Sequence, residues 1–115
     1  MPKGVFIALS NPVSDQVEDD FNQWYDDVHV KEVLAIPGVK SCRRFKLAPQ
    51  QLMPGDDGAG RRYLALYEVD VEDWQSFADA QQQAFADGKI TVNPELLQLD
   101  PMVMTMCWEE ISEPS

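Results

Sequence analysis

Two stretches of this chain are apolar on both of the faces that a β-strand presents. Gly4-Val5-Phe6-Ile7-Ala8-Leu9-Ser10 is a continuous apolar run with β-branched residues. Arg61-Arg62-Tyr63-Leu64-Ala65-Leu66-Tyr67-Glu68-Val69 is apolar on both sides through its middle. Successive strand residues point to opposite faces, so both runs read as central strands that need cover above and below. Asn11-Pro12 ends the first run, because proline has no ladder donor. At 115 residues the chain is expected to form one domain, residues 1–115, with a sizeable core. The cover must therefore come from few remaining elements.

The pattern predicts two helices. The first occupies the stretch from Val17 to Ile36, with Ser14 or Asp15 as N-cap and Glu18 as the capping-box acid. It stops by Ile36, because Pro37 disfavours helical geometry in the residue before it, and Gly38 supplies the positive φ of a tight turn. The second starts at Asp70, with Asp73 completing a capping-box-like pair. It carries Trp74, Phe77, Ala78, Gln81, Ala84 and Phe85 as a stripe and closes at Gly88. These aromatics read as core. Between the helices, Val39 to Leu47 is a strand, and residues 48–60 form a loop with strong turn chemistry. A hairpin connection is preferred for that loop over a lid. Ile90 to Pro101 crosses back irregularly. Met102 to Ile111 is a last strand, with Met102, Met104, Met106 and Trp108 on one face.

The order is β-α-β-β-α-β, the split βαβ of ferredoxin-like folds. The fold class is α+β, a four-stranded antiparallel sheet with two helices on one face. Two helices cover only one face of such a sheet. The second apolar face needs a partner, and the expectation is a homodimer with sheets packed face to face.

Formal charge is −11, with nine bases against twenty acids, which argues against nucleic acid and anionic membrane as partners. No run approaches a membrane span, and Met1-Pro2-Lys3-Gly4 leads straight into a strand rather than a signal peptide, so a cytoplasmic location is expected. Six of the bases, Lys40, Arg43, Arg44, Lys46, Arg61 and Arg62, cluster on two strand-like segments. Pairing with acidic helices is favoured there over an anionic ligand. Cys42 and Cys107 lie far apart without metal-ligand spacing, so no metal is expected. Both thiols read as packing residues. The alternative for Cys42, next to Arg43 and Arg44, is a nucleophile with a depressed pKa.

Chemistry concentrates on the first helix. At 100° per residue, Val17, Phe21, Trp24, Val28 and Ala35 form the expected buried stripe, with Tyr25, His29, Glu32 and Ile36 along its flank. Tyr25, His29 and Glu32 follow at spacings of four and three residues, so neighbours touch. His29 is the only histidine. One reading makes it a general acid or base, oriented by Glu32 or Asp26, with Tyr25 donating a hydrogen bond to a developing oxyanion. The other is a half-buried histidine bonded to Glu32, and spacing alone favours it. Trp24 is assigned to the core in the main, with a place beside the substrate as its functional role, and Arg43 is a candidate anion partner.

Phe21-Asn22-Gln23-Trp24-Tyr25-Asp26-Asp27-Val28-His29 and the run Val30-Lys31-Glu32-Val33-Leu34-Ala35-Ile36-Pro37-Gly38 resemble the first-helix signature of EthD-like proteins of the dimeric α/β-barrel superfamily. That signature is an aromatic pair, x-x-x-His, and an apolar run into Pro-Gly. Ser41-Cys42-Arg43-Arg44-Phe45 and Tyr63-Leu64-Ala65-Leu66-Tyr67-Glu68 are similar to that family's second and third strands. Lys31 departs from the pattern, since many members have Pro there. The resemblance implies a dimeric α/β barrel with a pocket between sheet and helices. It implies, without choosing among them, cyclase, isomerase, dehydratase or monooxygenase chemistry. The expected ligand is small, apolar or aromatic and carries a carbonyl, and no cofactor is expected. A non-catalytic binding or accessory protein is the alternative. Haem ligated by His29 is a third reading that nothing else in the chain supports.

Overall fold

The two doubly apolar runs become the central strands of one sheet. In the computed structural model, which describes residues 2–55 and 58–115, the strands are β1 (Lys3–Ser10), β2 (Val39–Lys46), β3 (Tyr63–Asp70) and β4 (Met104–Glu109). They lie in the order β2-β3-β1-β4, every pair antiparallel. The fold is ferredoxin-like α+β, as the element order implies. Among the described residues no helix is long and apolar enough to cross a membrane.

One face of the sheet is sealed by helices. Phe6, Ala8 and Ser10 from β1 point into it with Tyr63, Ala65, Tyr67 and Val69 from β3, all buried. Phe6 stacks on Tyr67, its cross-strand partner, at 5.5 Å between centroids, and meets Phe77 edge-on at 6.0 Å. The other face carries Ile7, Leu9, Leu64 and Leu66 half-buried, with Phe45, Met104 and Trp108 exposed. Gly4 lies where β1 and β4 run together, and a Cβ there would collide with the Trp108 carbonyl.

The first helical segment is in three pieces: α1 (Glu18–Trp24), a π turn (Tyr25–His29) and α2 (Val30–Leu34). The π turn corrects the expected stripe. Its wider loop inserts one extra residue, so every position after it turns back by one place. Phe21 stays buried, but Val28 is exposed and His29 takes its place; Ala35 is exposed and Ile36, assigned to the flank, is buried; Val33, outside the expected stripe, is buried. Tyr25, assigned to the flank, is only 2% exposed.

The start of that segment differs too. Neither Ser14 nor Asp15 caps it: a 3₁₀ turn at Asp15–Val17 precedes α1, and Ser14 makes no side-chain cap bond. Glu18 instead pairs with Lys46 at 3.4 Å. Gly38 takes φ 94°, and its carbonyl accepts from the Asp70 amide at 2.8 Å, which ties the turn into β3.

The second helix, α3 (Trp74–Ala86), begins later than expected, because Asp70 ends β3 and Asp73 is the cap. Residues 90–103 then cross back without helix or strand. They are pinned to the segment after β1 through the Val13 amide on the Leu96 carbonyl at 2.8 Å and the Gln98 amide on the Asn11 carbonyl at 2.9 Å.

Candidate functional site

A cavity of about 320 Å³ lies between the sheet, the π turn, α3 and the crossing segment. The sheet contributes Phe6, Ala8 and Tyr67, the crossing segment Ile90, Leu97 and Leu99, and the first helical segment Tyr25, His29 and Val33. A mostly apolar hollow with a few polar groups is the usual form of a small-molecule site. The described residues of the loop at 48–60 contribute nothing to this lining, and Leu52 is 98% exposed.

His29 is set by three contacts. Its ring lies against Trp24 at 5.2 Å and 28° between planes, and meets the Tyr25 ring edge-on at 4.9 Å. Nδ1 is 3.1 Å from the Thr91 carbonyl oxygen. A carbonyl only accepts, so Nδ1 carries the proton and Nε2 keeps its lone pair. The side chain is 13% exposed, and burial holds the imidazole pKa below its ordinary value against the opposing pull of the Thr91 carbonyl and Glu32. The ring is therefore a neutral base near pH 7.

Glu32 stands behind the ring rather than in the cavity. Its Oε1 is 3.6 Å from Nδ1, and it accepts from the Thr91 amide at 3.1 Å and the Thr91 hydroxyl at 3.0 Å. Thr91 thus fixes both the imidazole tautomer and the carboxylate beside it. A histidine oriented by a carbonyl and backed by an acid is a familiar acid–base arrangement.

Tyr25 is the second polar group at the cavity. Burial pushes its pKa to about 12 against the Arg44 charge, so at neutral pH the phenol is a hydrogen-bond donor. Tyr67 is the third; its pKa is also raised by burial. Its hydroxyl is buried next to the Tyr25 hydroxyl and the Cys42 thiol, but meets neither in hydrogen-bonding geometry.

The remaining sequence candidates lie outside the lining. Asp26 does not reach His29. It faces the other side of the helix and accepts from Arg44 at 2.9 Å. That guanidinium is committed to the helix: it also bonds the Asn22 side chain at 2.9 Å and lies over the Tyr25 ring at 4.3 Å. Trp24 packs on the core and serves the site as the face on which the imidazole lies. Arg43 points to the opposite side of the sheet, over the Phe45 ring at 5.2 Å. Cys42 is no activated nucleophile, because burial pushes its thiol pKa up. Among the described residues no three His, Cys, Asp or Glu side chains gather in a metal-holding group.

Thr91 and Tyr67 were missed by sequence reasoning. Thr91 sits in an irregular segment 62 residues from His29, and nothing local marks it. Tyr67 follows the strand alternation of buried residues and looks like any core aromatic.

The family and the fold, though not the site, have counterparts among known proteins. Residues 8–90 match the family model described as Domain of unknown function (DUF4286). HapK from Hahella chejuensis shares the fold with a TM-score of 0.64 at 13% identity, over 98% of this chain and 96% of that one. An EthD family protein from Bacillus halodurans aligns with a TM-score of 0.55 at 15% identity, over 96% of this chain and all of that one. The chain is thus EthD-like in fold. No curated protein sequence matches it.

Proposed function

The chain belongs to the DUF4286 family, a domain of unknown function, and we propose that it is a cofactor-independent enzyme acting by histidine acid–base chemistry on a small apolar substrate that carries a carbonyl. The observation that carries this reading is His29, with Nδ1 tied to the Thr91 carbonyl at 3.1 Å and the ring set in the wall of an apolar cavity. Nε2 takes a proton from the carbon next to the substrate carbonyl. The imidazolium that forms is favoured by the Thr91 carbonyl and by Glu32, both of which interact more strongly with a charged ring. The developing oxyanion accepts a hydrogen bond from a neutral tyrosine, Tyr25 or the unpartnered Tyr67. Trp24 holds the ring plane, while Asp26 and Arg43 have no part in the step.

The functional unit in this reading is a homodimer in the manner of a dimeric α/β barrel. The face of Ile7, Leu9, Leu64, Leu66, Met104 and Trp108 is a broad apolar surface, and a second copy covers it sheet to sheet. A single-chain mass by size-exclusion with light scattering at micromolar concentration overturns the dimer.

The acid–base role is tested with a methyl ketone probe, 2-acetylnaphthalene, in deuterated buffer. Its methyl protons exchange faster with the protein than without, and His29→Gln abolishes the gain. The second reading is a non-catalytic ligand carrier. It is favoured by the apolar wall, whose described residues include a single histidine and no carboxylate, lysine or arginine. A probe that binds but exchanges no faster supports the carrier and sinks the enzyme.

A further inference from the structure

Among the described residues, the cavity wall contains no Asp, Glu, Lys or Arg. Its polar side chains are His29, Tyr25, Tyr67, Thr105, Cys107 and two adjacent amides on α3, Gln81 and Gln82. Those two share a helix face with Ala78 and Phe85, since positions three, four and seven apart lie one above another.

The glutamines of α3 divide into two kinds. Gln75 bonds the Asp79 side chain at 3.0 Å and Gln83 bonds Asp87 at 2.9 Å, each pair four residues apart on the solvent side. Gln81 and Gln82 have no hydrogen-bond partner among the described residues. Gln81 is half-buried while Gln82 is exposed at the rim. The Gln81 amide keeps its polar atoms open to solvent, since none of them is among the buried atoms left without a partner. In an apolar wall, that amide is a free donor and acceptor for whatever enters.

We propose that the cavity selects an uncharged, oxygen-bearing apolar molecule, and that Gln81 and Gln82 are the residues that select it. The inference rests on the cavity reading above and adds the residues that recognise the oxygen of its substrate. A carboxylate or phosphate entering this hollow would lose its water and meet no cation. It would also meet Glu32 behind the imidazole and the field of a chain carrying −11. A ketone, phenol or lactone brings no such charge, and its oxygen accepts from a glutamine amide while its rings lie against Phe6, Phe85 and Ile90. An amide also tells oxygen-bearing molecules from bare hydrocarbons, because only the former satisfy it.

Three probes of similar shape decide the matter: 2-acetylnaphthalene, 2-naphthoate and 2-ethylnaphthalene. Binding is read from the Nε2-side chemical shifts of His29 and from Trp24 fluorescence. The ketone is expected to bind at least tenfold tighter than either of the others. The double variant Gln81→Leu, Gln82→Leu, which keeps the chain length and helix propensity, is expected to lose that preference over the hydrocarbon by about tenfold. His29 is expected to keep its titration in that variant, so that loss of fold is not the cause. Naphthoate binding as tightly as the ketone overturns the inference and leaves the cavity reading standing, as does an unchanged ketone preference in the double variant. Failure of all three probes to move His29 or Trp24 overturns both together.

Discussion

The two helical segments on the sheet differ in how closely they obey helix rules. The second, α3, is regular and closed at both ends. Asp73 accepts from the Ser76 amide at 2.7 Å, and beyond Gly88 the Lys89 amide returns to the Ala84 carbonyl at 2.8 Å. The first enters through a 3₁₀ turn without a side-chain cap and is interrupted by the π turn at Tyr25–His29. The irregular segment holds the titratable site, while the regular one supplies scaffold and neutral amides. A π turn is rare and costs local regularity, and it recurs at functional sites because it re-aims one side chain. Here it moves an imidazole from the edge of the helix into its buried face.

Truncation tests whether both segments prop the sheet equally. Phe21 is fully buried against Tyr63 and Phe77 is buried against Phe6. Phe21→Ala and Phe77→Ala are each expected to cost about 3–5 kcal/mol in urea unfolding. A near-zero cost at Phe21 would mean that the interrupted segment is not anchored to the core.

Deleting Asp27 addresses the π turn itself. A regular helix results, with Phe21, Tyr25, Val33 and Ile36 still on the core side. The fold is expected to survive with a modest change in Tm, and ligand-induced shifts at His29 persist, because the deletion leaves His29 on the same face as Val33 and Ile36. Loss of the shifts would show that the site needs the π geometry itself and not only the register it sets.

A smaller effect is the acid sensitivity of stability. The folded imidazole has a depressed pKa, so the unfolded chain binds its proton more readily. Stability from this group is therefore complete above about 6.5 and declines as pH falls below it. Compared with His29→Gln by thermal unfolding, the wild-type chain loses ground progressively below that pH, and the two run parallel above it. Parallel curves throughout would place the ring in solvent.

The smallest contrast is at the helix starts. Asp73→Ala lowers Tm by a few degrees, whereas Ser14→Ala leaves it unchanged, because only Asp73 caps a helix. Equal losses would mean that Ser14 caps in solution.

Strand order and punctuation were legible because they rest on local chemistry: proline at Pro12, the turn at Gly38, β-branched runs in β1. The trio Tyr25, His29 and Glu32 was legible as a spacing on a helix. Its facing was not, since a 100° wheel has no room for the inserted residue, and the outcome hinged on which side of one residue the stripe passed. Thr91, Tyr67 and the free amides of α3 were invisible for a different reason. Their roles come from what the topology brings near, and no side chain announces a partner sixty residues away.

The pairing of β4 with β1 has a consequence for the order of events during synthesis. The first strand to leave the ribosome waits for the last one before its outer edge is covered, and Gly4 ends opposite Glu109. Contacts of such long sequence separation form late and slow folding. Until they form, the nascent chain offers an open apolar edge that invites association with other chains. The hollow that holds His29 also lacks Thr105 and Cys107 from its wall until then, so a chain stopped short of Met104 has a histidine but no site.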